Sequence, residues 1–343
     1  MKQLSAFLLL LPFAAQAQLG GRAAFPFLEL PPSAQLAALG GMTASTRSSD
    51  PTQFFASPAL LNADMDRAVG VSYVNYVSDI RQSTVAYAFN TEKRGRFGLG
   101  LTYLNYADIP SFDPSAASLG TYLVNEYALQ AADSYTKGKF TLGLTAKLGV
   151  SSIAGDRAVA LAGDAGVLYK PHAEQDFTVG LVVKNAGAML VPYTAAAREP
   201  LPLDVQLGTT IKPEHMPLRF TLTAHHLQQW DIQYLDPNAS TTNAAGDTVR
   251  ARKNFADNLA RHLTVGAELL LGQGLSLRLG YNHLQGRELR LANVGGGAGF
   301  SFGAKVRIAQ FQLDYTYATL QAAGSSNYFT LSHSFNGAVK RND

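Results

Sequence analysis

The chain has 343 residues, with 28 Lys and Arg against 25 Asp and Glu, and it contains no cysteine. A nearly balanced charge with no basic stripe argues against a nucleic-acid partner, and the lack of cysteine excludes a disulfide framework and thiol chemistry. With 31 Gly, 18 Phe and 15 Tyr but only 15% charged residues, the composition fits a β-rich chain with many close backbone contacts.

The first segment predicts an export signal. Lys2 supplies a positive start, Leu4 to Ala15 is almost unbroken apolar, and Ala15-Gln16-Ala17 is a small-x-small cleavage site. Residues 1–17 are read as a cleaved signal peptide with Gln18 as the mature N-terminus. The apolar run is shorter than the ~20 residues a spanning helix needs. No later run is long enough either, so any membrane crossing falls to strands.

Residues 18–65 do not alternate. Leu39, Gly40 and Gly41 form a small-residue step, a polar run ends at Asp50-Pro51, and Pro58, Ala59 and Leu60 follow. This stretch is read as a hatch that fills a barrel formed by residues 66–336, with 337–343 as a tail. Gly40 and Gly41 let the backbone turn tightly against the wall.

From Val69 onward the period is two. The rows Val69-Val71-Tyr73, Val85-Tyr87-Phe89, Phe97-Leu99-Leu101-Tyr103 and Phe140-Leu142-Leu144 open a series that ends with Phe311-Leu313-Tyr315-Tyr317. Residues 122–135, 158–169 and 328–335 match more weakly. The series predicts an all-β fold: a 14-stranded antiparallel transmembrane β-barrel of the outer membrane with an N-terminal hatch. Both termini are expected in the periplasm.

The charges have a fixed phase. Lys147, Asp164, Lys184, Asp204, Arg219, Glu268, Arg278, Lys305 and Asp314 fall on the face opposite the apolar row. In a soluble sandwich that face would meet water; in a membrane barrel it lines the lumen while the apolar face meets lipid. Aromatics near strand ends (Tyr73, Tyr103, Tyr281, Tyr315, Tyr317, Phe335) fit interface girdles. Tight turns near Gly138, Pro213, Gly272–Gly274 and Ile308-Ala309 alternate with long connections over 105–124, 185–201, 230–261 and 283–297, as in outer-membrane barrels.

The lumen charges read either as a salt-bridged interior, which buried charges of mixed sign favour, or as a polar passage. His225 and His226, adjacent at a strand end, should point to opposite faces. No metal or cofactor site is expected there. No nucleophile motif such as Gly-x-Ser-x-Gly accompanies the many Ser and Asp residues, so no catalytic residue is assigned and the chain is not read as an enzyme. Trp230, Tyr234 and Asp236 lie in a long connection, where they read as a partner contact or, for Trp230, as an interface-belt residue.

Several stretches carry a resemblance. Residues 18–30 (QLGGRAAFPFLEL), Ala38-Leu39-Gly40-Gly41, Ser57-Pro58-Ala59-Leu60-Leu61-Asn62, Ser72-Tyr73-Val74-Asn75-Tyr76, Arg198-Glu199-Pro200-Leu201-Pro202, Thr223-Ala224-His225-His226-Leu227 and Leu279-Gly280-Tyr281-Asn282 resemble, in order, the PorQ family of the Bacteroidetes type IX secretion system. That family is similar to PorV and FadL-like barrels with a hatch in the lumen. Many relatives have Asn-Pro-Ala where this chain has Ser57-Pro58-Ala59. The resemblance implies an outer-membrane anchor for the attachment complex that processes secreted cargo and attaches it to lipopolysaccharide. It also implies partners similar to PorZ above all, and to PorU and PorV. The alternative is a FadL-like transporter of hydrophobic small molecules.

Overall fold

The computed structural model describes residues 23–91, 95–113, 115, 117–172, 177–193, 199–233, 240–242, 248–250, 253–272, 274–289, 297–321 and 324–335. The signal peptide and the tail therefore lie outside the described residues. So do Tyr234 and Asp236.

Alternation sets the architecture. In β1 (Ala68–Asn75), Val71 and Tyr73 are exposed while Gly70, Ser72 and Val74 are buried, the pattern of a strand with one lipid face and one packed face. The same two-residue period runs through β2 (Arg81–Thr91), β3 (Gly95–Phe112), β4 (Ser118–Lys137), β5 (Phe140–Ile153), β6 (Asp156–Tyr169) and β7 (Phe177–Val191). It continues through β8 (Asp204–Ile211) and β9 (Leu218–Ala224). A small separate hairpin, β10 (Ser240–Thr242) and β11 (Thr248–Arg250), then interrupts the series. The wall resumes with β12 (Leu263–Leu271), β13 (Leu275–Asn282), β14 (Phe300–Ile308), β15 (Phe311–Gln321) and β16 (Gly324–Ser334). Fourteen of these strands pair with their neighbours, all antiparallel, and β1 closes on β16 from Ala68↔Ser334 to Asn75↔Asn327. Closure leaves no sheet edge in the bilayer, which a spanning sheet requires.

The outer surface is an apolar band. Leu99, Leu101, Leu129, Leu142, Leu144, Leu277, Phe302, Leu313 and Leu331 are all exposed on it. Aromatic pairs mark its two margins. Tyr103–Tyr127, Tyr281–Phe300 and Tyr315–Phe329 lie toward the long-loop end. Phe89–Phe97, Phe140–Tyr169 and Phe311–His333 lie toward the short-turn end. Along β4, Tyr127 to Tyr135 span about 21 Å of membrane height, taking a rise of ~3.4 Å per residue and a tilt of ~40°. That matches the ~25 Å apolar band of outer-membrane barrels. The chain is a transmembrane β-barrel of the outer-membrane type.

All four long connections carry more regular structure than the sequence reading gave them, and the one over 185–201 begins as strand, since β7 runs to Val191. Residues 105–124, expected as a long loop, form a protruding β-ribbon: β3 and β4 pair as far as Phe112↔Ser118. Ile109 and Tyr122 sit opposite each other in it, and the pairing resumes past the membrane after a register shift between Asn105 and Asp108. The segment after His283 starts as a helix, α3 (His283–Glu288), capped by the Asn282 side chain, which accepts from the Gln285 N–H. A further helix, α2 (Phe255–Arg261), lies before β12.

The N-terminal segment runs through the lumen from one end to the other. Ala24 N–H donates to the Pro200 carbonyl at 2.9 Å, beside the long loops. The segment reaches the short-turn end at Ala68, next to Ser334. The first described residues thus sit at the end opposite the start of β1. The mature N-terminus itself falls outside the described residues.

Candidate functional site

The lumen is where the charged face, the hatch and the long-loop cap converge. Its wall carries Ser and Thr at inward positions, and these bond the hatch backbone. Thr330 Oγ1 accepts from Ala34 N–H at 2.9 Å, and Thr316 Oγ1 donates to the Ala34 carbonyl at 2.7 Å. Ser301 Oγ donates to the Ala38 carbonyl, Asn282 Nδ2 to the Gly40 carbonyl (each 3.2 Å), and Thr178 Oγ1 to the Ser45 carbonyl at 2.8 Å. An irregular segment buried in a barrel has no ladder of its own, so its N–H and C=O groups need these partners.

Close approach is made possible by wall glycines. A Cβ at Gly180 would meet the Ala44 carbonyl oxygen at 1.9 Å, and one at Gly280 would meet Gly40 N at 2.3 Å. Leu39 packs over Gly266, while Pro58 and Ala59 lie on Gly143. Leu60 is fully buried with Leu36, Ala56, Ala59 and Leu168. Gly41 has φ 89° and lets the chain leave the helix α1 (Ala34–Ala38) toward the polar run. Ser57 Oγ is buried without a hydrogen-bond partner among the described residues.

Asp50 caps the helical turn over Pro51–Phe55 by accepting from Thr52 N–H at 3.0 Å, and it also accepts from Ser332 Oγ at 3.1 Å. Burial first, and then the nearby Asp314 charge, push its carboxyl up to about 6.

Among the described residues the inward charges meet in groups. Arg219 Nη1 donates to Glu268 Oε2 at 2.8 Å and Arg278 Nε to Glu268 Oε1 at 2.9 Å; Arg278 also bonds Asp314, and Lys305 Nζ stands 3.9 Å from Glu268. Across the lumen, Lys147 Nζ pairs with Asp164 at 2.7 Å and donates to Asn185 Oδ1 at 2.8 Å. Asp204 takes a third role: it accepts from the His226 N–H at 2.7 Å and from Gln206 Nε2 at 2.6 Å. Lys184 lies opposite Asp204 in the β7–β8 register. Strand spacing separates the clusters, since β12–β15 and β5–β7 are on different sides of the barrel.

Asn185 is a residue the sequence reading passed over. It sits in the left-handed region at φ 58°, where β6 and β7 slip register between Gly163 and Ala165. Asp164 accepts its N–H at 2.8 Å and its Nδ2 donates to the Pro202 carbonyl at 3.0 Å. This is a β-bulge, and Asn tolerates that backbone better than most residues. The one sequence signal was Asn followed by Ala-Gly inside an otherwise alternating strand.

At the long-loop end, His225 and His226 turn toward each other, with Nδ1 to Nδ1 at 2.7 Å. They were expected to diverge. His226 adopts φ 55°, ending the strand at Ala224 and breaking its alternation. Burial first, and then the neighbouring His226, hold the His225 ring down at about 3. No group of three metal-ligating side chains occurs among the described residues.

Trp230 is half exposed, but its ring stacks on His262 at 5.6 Å and packs against Phe255 at 5.4 Å. Its carbonyl accepts from His262 Nε2 at 3.0 Å. Asp257, also missed in the sequence, fastens this cap. It accepts from Arg261 Nε at 2.9 Å and pairs with Arg287 at 3.0 Å and His283 at 3.3 Å.

Glu29 bridges hatch and cap, lying 3.9 Å from His226 Nε2. Burial first, then Asp204, push its carboxyl up to about 7, against the opposing pull of Lys184. Two small cavities lie between hatch and wall among the described residues. A cavity of about 20 Å³ touches Phe27, Leu28, Lys147 and Lys184, and another of about 10 Å³ touches Gly40, Gly41 and Tyr328. Each has room for about one water.

No protein-family model and no curated protein sequence matches the chain. Among solved structures, the toluene transporter TodX of Pseudomonas putida is similar at 13% identity and TM-score 0.47, covering 87% of this chain and 95% of that one. A Pseudomonas aeruginosa FadL homologue is similar at 12% identity and TM-score 0.49, covering 88% and 98%. The CymD monoaromatic hydrocarbon channel is similar at 14% identity and TM-score 0.46, covering 91% and 99%. The 14-strand architecture rests on this chain's own pairing.

Proposed function

We propose that the protein is a non-enzymatic outer-membrane platform, the barrel component of a type IX attachment complex, holding partners similar to PorZ, PorU or PorV beside lipopolysaccharide. The observation that carries the platform reading is the filled lumen. Hatch and wall are hydrogen-bonded around the barrel, and the cavities between them are about 20 and 10 Å³. A lumen occupied by bonded chain favours action through the barrel's surfaces. The resemblance to the PorQ family supplies the named partners and is the ground for choosing this complex. Affinity purification of the tagged protein from gently solubilised outer membranes tests it. Recovery of PorZ-like or PorU-like chains is expected, and recovery of the barrel alone sinks the reading.

A second reading is transport of hydrophobic small molecules, the activity that the names TodX and CymD describe for those proteins. Here it is favoured by the wall bulge at Asn185, which adjoins Lys147 and Lys184 on the larger cavity. Uptake of toluene or a long-chain fatty acid into vesicles carrying the purified barrel tests it. Uptake no faster than into empty vesicles rules it out.

A further inference from the structure

The barrel wall has an uneven rim. Strands β3 to β7 are 14 to 20 residues long, whereas β8, β9 and β12 to β14 have 7 to 9. The low side is topped by α2, α3 and their loops. The tall side ends in a bare two-stranded ribbon in which Asp108–Phe112 pair with Ser118–Leu123. Neighbouring strands stop short of it: β2 reaches only Arg81↔Asn105, and β5 only Ile153↔Val124. Among the described residues, both ribbon edges are unpaired.

Large apolar side chains stand exposed on this ribbon where lipid does not reach. Phe112, Leu119 and Leu123 are 59%, 67% and 54% exposed. Below them Asn125 accepts from Tyr103 Oη and Asn105 Nδ2, each at 2.8 Å. These polar groups and the Tyr103–Tyr127 pair mark the membrane interface. Leu119 lies eight residues beyond Tyr127 and so about 21 Å above it by the same rise and tilt. Apolar side chains on a free strand edge in water are a template for strand addition.

The two edges are not equivalent. On the β3 side Pro110 removes a donor, a common way to blunt an edge. The β4 side, Ser118-Leu119-Gly120-Thr121-Tyr122-Leu123, has neither Pro nor charge. Opposite Pro110 stands Thr121. Proline occupies ladder positions whose N–H would point away from the partner strand, and residues directly opposite share that orientation, so the Thr121 N–H points to the free β4 edge. From Tyr106 to Leu123 the ribbon carries Asp108 and Asp113 and no Lys, Arg or His.

We propose that the β4 edge at Ser118–Leu123 is a docking strand for an extended, cationic segment of an exported partner protein. The segment adds to the sheet and covers Leu119 and Leu123. This rests on the platform reading and names the chemistry of its contact. The acidic ribbon favours a basic partner and disfavours anionic lipopolysaccharide. A second copy in the same membrane, related by a two-fold along the membrane normal, would run its β4 in the same sense. It would also set Asp108 and Asp113 near their own counterparts.

The test uses the full barrel in nanodiscs and peptide probes of alternating Thr and Val, ended by Lys, ended by Glu, or interrupted by Pro. The Lys-ended peptide should bind at least about fivefold more tightly than the Glu-ended one at low salt, the scale of two exposed charge pairs. The margin should shrink as salt rises, and the Pro-interrupted peptide should not bind. Thr121→Pro should abolish binding and Leu119→Asn with Leu123→Asn should weaken it several-fold. Folding of each variant is verified by its shifted migration in unheated SDS gels. Equal binding of the Lys-ended and Glu-ended peptides, or unchanged binding to Thr121→Pro, overturns the proposal. So does a photocrosslinker at position 119 that yields a dimer of this chain or a lipopolysaccharide adduct in cells. If affinity purification recovers the same partners with wild-type and Thr121→Pro barrels, the ribbon is wrong and the platform stands. If the wild-type barrel comes down alone, the platform fails whatever the peptides do.

Discussion

Glu268→Gln tests whether the lumen charges hold the barrel together. Glu268 is almost fully buried and receives Arg219 and Arg278 on its two oxygens, with Lys305 3.9 Å away. Neutralising it leaves Arg219, Arg278 and Lys305 with Asp314 as the remaining acid of the cluster. Breaking such a buried arrangement by removing one partner costs about 3–5 kcal/mol, because desolvated cations lose their counter-charge. Removing Arg219 as well, as Met, takes away one of the two guanidinium partners of Glu268, and the double variant should recover part of the loss. Urea titration in detergent micelles, read by migration in unheated SDS gels, measures both. A single-variant loss below about 1 kcal/mol would refute the reasoning, since it would mean that water already solvates these groups.

Three further outcomes follow from the hatch and its contacts. Gly180→Ala, whose Cβ would meet the Ala44 carbonyl at 1.9 Å, should cost about 1–3 kcal/mol by overpacking. It should also raise hydrogen exchange around Ala44, while Gly297→Ala, with open space beside it, should do neither. Glu29 gives a pH dependence. Its carboxyl is raised from 4.5 to about 7, so the folded state holds the proton more tightly than the unfolded one. Docking of residues 23–30 should therefore strengthen as pH falls from about 7 toward 4.5 and weaken as it rises through that window. His226, Asp204, Lys184 and Glu288 face the group, and Asp50, raised to about 6, titrates with the same sign. Hydrogen exchange of this segment in wild type and Glu29→Gln reads the effect, and an equal slope in both removes Glu29 as its source. Asn185→Ala should cost about 1–3 kcal/mol by leaving Lys147 and the Pro202 carbonyl short of partners. An unchanged urea midpoint would show that the bulge holds without its side chain.

The wall was legible because period two over fourteen strands is a long, redundant signal, and because inward charges shared its phase. Lys147, Glu268 and Arg278 could be placed on the lumen face by counting residues. Which charges meet could not be counted. Glu268 touches Arg219 and Arg278 through cross-strand register at Glu268↔Arg219 and Glu268↔Arg278, and register depends on turn geometry. The pairing of His225 with His226 was hidden for a related reason. Alternation predicts divergence, and a single residue at φ 55° reverses it. The ribbon at 105–124 was missed because Pro110, Pro114 and three serines read as loop, although Ile109, Tyr122 and Leu123 kept a strand alive beneath them.

The seal and the uneven rim bear on each other. The hatch is tied to β15 and β16 through Ala34, to β13 and β14 through Gly40 and Ala38, and to β7 through Ser45. It also lies against β5 at Pro58. Opening a straight path along the axis would break bonds on several sides of the wall at once, each leaving a buried polar group that costs about 1–3 kcal/mol. A gate is drawn from parts held weakly, and these bonds argue for a fixed segment. On the transport reading the route would lie sideways, at the Asn185 bulge, and uptake would respond to Asn185→Ala more than to a disulfide locking the hatch. If neither change alters uptake, the lumen takes no part in function, and the work of the protein is done at the rim, where β4 stands free.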